Sequence, residues 1–346
     1  MQIGYLITNL GSPDSPSVPD VRTYLDEFLM DPYVVDLPWI VRRLIVSGII
    51  LPFRPRKSAH AYDSIWTVDG SPLLVHSREF AHHLAQELGA PVALGMRYGK
   101  PSLYDAITEL SEKGVQHIIA APLYPQFADS TVTTTIKEVK RLLPSGIGCE
   151  FLPAFYNQPA YLDALAANVR ANLPEQCDLV LMSYHGLPER QLKKADSTGA
   201  HCMSGENCCA IASPAHQTCY RHQAYATSAA LAERLGLGSE QYRVSFQSRM
   251  GRGWMQPFTD HVLQALPASG VKHVAVACPA FVADNLETLE EIDLQGRQIF
   301  LQAGGESFHL LPCLNSDSQW VAGFAGLLSS LAKVHQMEPA SADTSS

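Results

Sequence analysis

The chain repeats itself. Residues 114–139 read GVQHIIAAPLYPQFADSTVTTTIKEV, and residues 270–292 read GVKHVAVACPAFVADNLETLEEI. Both run Gly-Val-x-His, an apolar strand, Pro-x-Phe, Ala-Asp and then a helix, with one-residue gaps. The second Gly-Val-x-His begins 156 residues after the first, at Gly270 against Gly114, close to half of the 346 residues. A shared pattern at this spacing reads as a duplication. It agrees with a prior of about 150 residues per domain. The expected architecture is two similar α/β domains facing each other across a cleft, residues 1–147 and 148–335, meeting near the turn at 144–148. The tail at 336–346, QMEPASADTSS, is small and polar and is expected to be disordered.

Apolar runs at 4–9, 92–98 and 117–123 read as strands in the first half. Those at 179–184, 242–246, 273–278 and 308–311 read as strands in the second. Amphipathic stretches such as 20–28, 77–88 and 130–142 lie between strands. Strands separated by helix-length segments make βαβ units, whose parallel sheets are covered on both faces. The segments NLGSP and YHGLP mark carboxyl ends of strands, and in open α/β sheets those ends line the ligand crevice.

Charge narrows the partners. Lys and Arg number 25 against 34 Asp and Glu, a formal net charge of −9. That balance argues against nucleic acid, which needs a basic field. No apolar run reaches the ~18 residues of a membrane span. The most apolar surface-type stretch, 39–53, is interrupted by Arg42 and Arg43. The N-terminus has neither a basic n-region nor a small-residue cleavage site, so a cytoplasmic location is expected. The eight cysteines are then expected as thiols.

Three segments could carry chemistry. His185, in LMSYHGLPER, directly follows an apolar strand, and a neutral imidazole accepts a proton near pH 7 or binds a borderline metal. In DNLETLEEID, Asp284, Glu287 and Glu291 stand at i, i+3 and i+7, so an α-helix would put all three carboxylates on one face. Crowded carboxylates raise a pKa and ready one group to take protons or a cation. Asp284-x-x-Glu287 also fits a capping box with Asp284 as N-cap. Four cysteines, Cys202, Cys208, Cys209 and Cys219, fall in one short stretch. Four thiolates suit a [2Fe–2S] cluster or a zinc ion, and the adjacent pair Cys208–Cys209 favours two irons over one Zn²⁺. No P-loop, GxGxxG after a strand, Gly-x-Ser-x-Gly or His-Glu-x-x-His occurs, so no nucleotide cofactor is expected.

Taken in order, LITNLGSPDSP, FLMDPYVVDLP, GSPL, GMRYGKPS, PLYPQFADSTV, SYHGLPERQ, FQSRMGRGW and CPAFVADNLETLEEID resemble the ferrochelatase family, enzymes that insert Fe²⁺ into a porphyrin in haem biosynthesis. The match runs from about Leu6 to about Ile292. It implies two Rossmann-like domains with a porphyrin cleft between them, and Fe²⁺ and protoporphyrin IX as substrates. His185 matches the family's active-site histidine and Glu287 its paired carboxylate. Glu291 and Asp284 match further acids on that helix. Arg97 and Tyr98 match an Arg-Tyr pair deep in the cleft, Leu10 a wall position against the macrocycle, and Trp254 and Phe281 aromatic cleft residues. Asn285 departs from the pattern, standing where some members carry a second histidine. The cysteine segment looks like an insertion. A subset of microbial members holds a [2Fe–2S] cluster on four internal cysteines, and Cys202, Cys208, Cys209 and Cys219 are similar to that arrangement. Such a cluster would be structural or regulatory, since metal insertion transfers no electrons.

The resemblance implies a mechanism. A cleft that bends the macrocycle tilts its nitrogen lone pairs outward, and strain of this kind is typically ~1–5 kcal/mol. Leu10, Tyr98, Trp254 and Phe281 would supply the apolar walls. Arg97 would pair with a propionate or steady a cleft acid. His185 is assigned as base, with Glu287 and Glu291 behind it as a conduit for iron and protons. Residues 39–53 suit a membrane interface at the cleft lip, where an insoluble porphyrin partitions. The open alternatives are insertion into coproporphyrin or of another metal, a haem-binding protein without turnover, and a redox sensor built on the cysteines.

Overall fold

The computed structural model describes residues 2–337 except 206 and 250. The first half runs β1 (Ile3–Ser12), α1 (Val18–Leu29), α2 (Trp39–Ile45), α3 (Leu51–Asp63), α4 (Pro72–Leu88), β2 (Val92–Gly99), α5 (Leu103–Glu112), β3 (His117–Pro122), α6 (Thr134–Leu142) and β4 (Gly148–Phe151). The second half runs α7 (Pro159–Asn172), β5 (Leu179–His185), α8 (Glu189–Ala195), α9 (Tyr220–Leu235), β6 (Tyr242–Gln247), α10 (Thr259–Ala265), β7 (His273–Ala277), α11 (Arg297–Gln302), β8 (Ser307–Leu310) and α12 (Ser318–Met337). Helix starts follow side-chain chemistry. The Ser17 hydroxyl accepts the Asp20 amide at α1, and Ser102 with Asp105 forms a capping box at α5.

The strands form two parallel four-stranded sheets of one topology, β2-β1-β3-β4 and β6-β5-β7-β8. The two-sheet α/β fold expected from the repeat is the fold observed. Its register sharpens the repeat. Ile3 pairs with His117, and Leu179 with Val274. Setting His117 equal to His273 lays Leu10-Gly11-Ser12-Pro13 on His185-Gly186-Leu187-Pro188. Both glycines are forced. A Cβ on Gly11, at φ +111°, would stand 1.7 Å from the Tyr98 carbonyl oxygen, and one on Gly186 would stand 2.8 Å from that of Gln247. Each half also opens the helix after its central strand with a π segment, Asp129–Thr133 and Glu287–Gly296. The same bond pins both: the Thr133 hydroxyl donates to Asp129 at 2.6 Å, and that of Thr288 to Asp284 at 3.0 Å.

The sheets share their inner core. Tyr5, Ile7 and Ile119 of the first sheet join Val180, Met182 and Tyr184 of the second in one apolar cluster with α7, α9 and α12. Its centre is an aromatic knot of Phe80, Phe155, Tyr161, Trp320 and Phe324, with Trp320 and Phe324 centroids 4.9 Å apart. Full burial of one large apolar side chain contributes about 1.5–3 kcal/mol, so this knot binds the halves together. The turn at 144–148, read as the domain junction, is an αβ connection: β4 begins at Gly148 and pairs with β3, so the first sheet extends to Phe151. The expected tail starts inside α12, which reaches Met337; 338–346 lie outside the described residues.

Candidate active site

Both sheets reverse strand order at their central pairs, β1/β3 and β5/β7. A crevice opens at the carboxyl ends of such a pair. In the second half that crevice is bordered by His185, the last residue of β5, and by the π segment that starts at Glu287. His185 Nδ1 lies 2.7 Å from the Gly186 carbonyl oxygen. A carbonyl only accepts, so Nδ1 carries the proton of the neutral ring and Nε2 keeps its lone pair.

Glu287 is held by the start of its helix. The Asn285 side-chain oxygen accepts the Glu287 amide at 2.9 Å and the Thr288 amide at 3.1 Å. Asn285 is therefore the cap, not Asp284, and is occupied as one. Burial pushes the Glu287 carboxyl above the ordinary range; the His185 imidazole draws it back, Glu291 adds to the rise and Arg54 opposes it. His185 and Glu291 are thus each within electrostatic reach of Glu287. Glu291 accepts the Ser248 amide at 2.7 Å and the Ser248 hydroxyl. Those bonds hold Ser248 at φ +62°, a conformation worth about 1–3 kcal/mol of strain in a non-glycine residue.

The expected three-carboxylate face is corrected. Asp284 precedes the helix and turns away, accepting Asn315 Nδ2 at 2.8 Å, the Thr288 hydroxyl at 3.0 Å and the Cys313 amide at 3.3 Å. The counterpart bond at Asp129 marks this as scaffold common to both halves. The helix begins later and turns wider than an α-helix, so i, i+3 spacing fails while Glu287 and Glu291 stay neighbours.

The opposite wall comes from the first half. Leu10, Tyr24, Tyr62 and Tyr98 share an apolar cluster with Leu286, the residue before Glu287. Burial raises the Tyr24 and Tyr62 phenols, and Glu287 raises both further, so it lies within electrostatic reach of them. Trp254 bridges Pro188 beside the His185 turn. Phe281 does not join this wall. It packs against the second sheet's other apolar layer, with Cys278, Ile292 and Phe308, because the turn donating the Phe281 amide to the Cys278 oxygen points it there.

Arg97 and Tyr98 are occupied by Asp31, which sequence reading did not single out. Asp31 Oδ2 accepts Arg97 Nη2 at 2.5 Å, the Thr134 hydroxyl at 2.5 Å and the Tyr98 hydroxyl at 3.0 Å, and Oδ1 accepts the Tyr33 amide at 2.7 Å. The pair is 15% and 2% exposed. Arg97 thus pairs with an acid, Asp31. The Asp-Pro of FLMDP was the available signal.

Three of the four cysteines of the insertion converge. Cys202, Cys209 and Cys219 pack together with Ala215. The Cys209 and Cys202 thiols bond the Cys219 sulfur, lowering its pKa to about 5, while Cys202 rises to about 12 chiefly through burial. Cys208 lies within electrostatic reach of both Cys202 and Cys209. Among the described residues no group of three His, Cys, Asp or Glu side chains stands ready-made for a metal ion.

Two Rossmann-like halves of one strand order define the class: the fold is that of the two-domain chelatases. SirB from Bacillus subtilis with Fe³⁺ superposes with a TM-score of 0.56 at 9% identity, covering 98% of both chains. The cobalt complex of the sirohydrochlorin chelatase SirB from Bacillus subtilis subspecies spizizenii gives 0.55 at 10%, again over 98% of each. Sequence is more specific. The ferrochelatase family model matches residues 2–331. A ferrochelatase of Pseudomonas fluorescens (strain Pf0-1) is 53% identical over 328 residues, 93% of this chain and 96% of that one. One from Pseudomonas aeruginosa (strain LESB58) is 50% identical over 333 residues, 95% and 98% of the two chains. The chain belongs to the ferrochelatase family.

Proposed function

We propose that His185 and Glu287 are the groups through which ferrous iron replaces the two pyrrole protons of protoporphyrin IX. Family membership gives the reaction, a ferro-lyase step of haem biosynthesis. The observation supporting the residue assignment is a buried carboxyl whose proton affinity is raised by burial and lowered by one imidazole. An imidazole that acts on a neighbouring carboxyl in this way stands where both groups can serve one proton-and-metal exchange. His185 Nε2 is the acceptor, and Glu287 with Glu291 is the path for iron inward and protons outward. Leu10, Tyr98 and Trp254 offer the macrocycle an apolar surface. Anaerobic incubation with Fe²⁺ and protoporphyrin IX is expected to give the haem spectrum. Turnover only with coproporphyrin or Co²⁺ would favour the other chelatase readings, and no product at all a haem-binding protein.

Cys202, Cys208, Cys209 and Cys219 would hold a [2Fe–2S] cluster. Thiols that already bond one another and bury one low-pKa sulfur fit that donor set, and Arg221 Nη1 near Cys208 Sγ at 3.9 Å offsets its negative charge. The cluster would brace α8 against α9. Freshly purified protein is expected to absorb in the visible and to bleach in Cys219→Ser; a colourless protein carrying zinc would refute the assignment.

The lip meets a membrane surface. Arg42 donates to the Val35 and Leu37 oxygens and is buried, whereas Arg43 stays exposed and pairs with Asp26 at the surface. Trp39, Ile40, Leu44, Ile49 and Phe53 stay 63–76% exposed. Exposed Arg56 and Lys57 complement anionic headgroups. No described helix is long and apolar enough to cross a membrane, so the contact is peripheral. The protein should float with anionic phospholipid vesicles, and Trp39→Asp with Phe53→Asp should sink; flotation unaffected by that change would place the contact elsewhere.

A further inference from the structure

Gln247 joins the two sides of the crevice. It is the last residue of β6, pairs in register with His185, and is 3% exposed. Its backbone oxygen accepts the Gly186 amide at 2.8 Å, which fixes the turn behind the imidazole. A side chain on Gly186 would collide with that same oxygen. Its amide nitrogen donates to the Glu287 carbonyl oxygen at 3.0 Å and reaches Glu291 Oε2 at 3.5 Å.

Chemistry fixes the amide's orientation. The Glu287 carbonyl and the Glu291 carboxylate are acceptors, so only the NH₂ end can face them. The Gln247 Oε1 end meets donors: the Ser183 hydroxyl at 2.8 Å and the Cys278 thiol at 4.0 Å. Ser183 is backed by Thr259 at 2.8 Å, and Thr259 by Ser245 at 2.8 Å. A buried hydroxyl chain thus aims one amide at the acidic helix. The first half has a counterpart. Asn9 pairs with Met96 and Gly11 with Tyr98, which sets Arg97 opposite Leu10 as Gln247 is set opposite His185. Arg97 likewise reaches across to the helix of its own crevice, at Thr134.

We infer that Gln247 is a positioning residue that sets the spacing and orientation of His185 relative to Glu287 and Glu291. This rests on the assignment of the imidazole–acid pair above. Removing it frees the π segment from the His185 turn without touching the porphyrin walls. Outer partners of metal-handling side chains typically contribute 10–100-fold, so Gln247→Met should lose about that much in kcat with KM for porphyrin unchanged. Ser183→Ala, which only loosens the amide, should lose less in the same direction. Melting temperature is recorded for both, and the wild-type protein is assayed alongside. Wild-type kcat in both variants overturns the inference. So does a loss that falls equally on porphyrin KM, or one explained by unfolding. A wild-type protein that inserts no iron would instead sink the functional reading.

Discussion

His185→Ala is expected to lose about 10²–10⁴-fold in kcat for iron insertion, the usual contribution of a positioned acid–base group. Porphyrin affinity, read by quenching of porphyrin fluorescence, should be unchanged. The split follows from geometry. Nδ1 is bonded to the Gly186 oxygen, so the ring's one available lone pair is at Nε2. Truncation removes that base and leaves the apolar wall of Leu10, Tyr24, Tyr62 and Leu286 intact. Without the imidazole, the Glu287 carboxyl loses the largest influence opposing the rise that burial causes. Turnover retained by His185→Ala would remove the imidazole from the mechanism.

Glu287→Gln should lose activity on the same scale, about 10²–10⁴-fold, and gain stability near neutral pH. The sign follows from burial. The folded protein raises the Glu287 pKa above its ordinary value of 4.5. A raised group contributes its full stability below the unfolded value, and that contribution is lost as pH rises through the folded one. Wild-type protein therefore weakens at this site above about pH 4.5, whereas the glutamine has no proton to lose. Melting curves of the two proteins should coincide near pH 4 and separate above it, the variant melting higher. A variant that melts lower at neutral pH would mean the carboxylate is stabilising where it stands.

The fold was legible because the duplication writes the same strand–turn–helix grammar twice, and buried parallel strands leave continuous apolar runs. His185 was legible because it ends such a run before Gly-Leu-Pro. Asp31 was not: its partners Arg97, Tyr98 and Thr134 lie 66, 67 and 103 residues away and meet it only in the folded chain. Asp284 misled because α-helical spacing was applied to a helix that starts after Asn285 and opens as a π segment. Gln247 left no trace, since an amide has neither charge nor apolar period to betray a buried bridge. The pattern Leu-Gly-x-Pro against His-Gly-x-Pro was in plain sight. Only strand register turned it into equivalence, one half keeping an apolar wall where the other carries imidazole.

The most direct measurement is a double-variant cycle on anaerobic Fe²⁺ insertion, comparing kcat of wild type, His185→Ala, Glu287→Gln and the two combined. Groups that serve one proton-and-metal exchange on one porphyrin are strongly non-additive. The combined protein should then be no slower than the worse single variant. Losses that multiply would show the imidazole and the carboxylate acting on separate events, and would contradict the shared crevice.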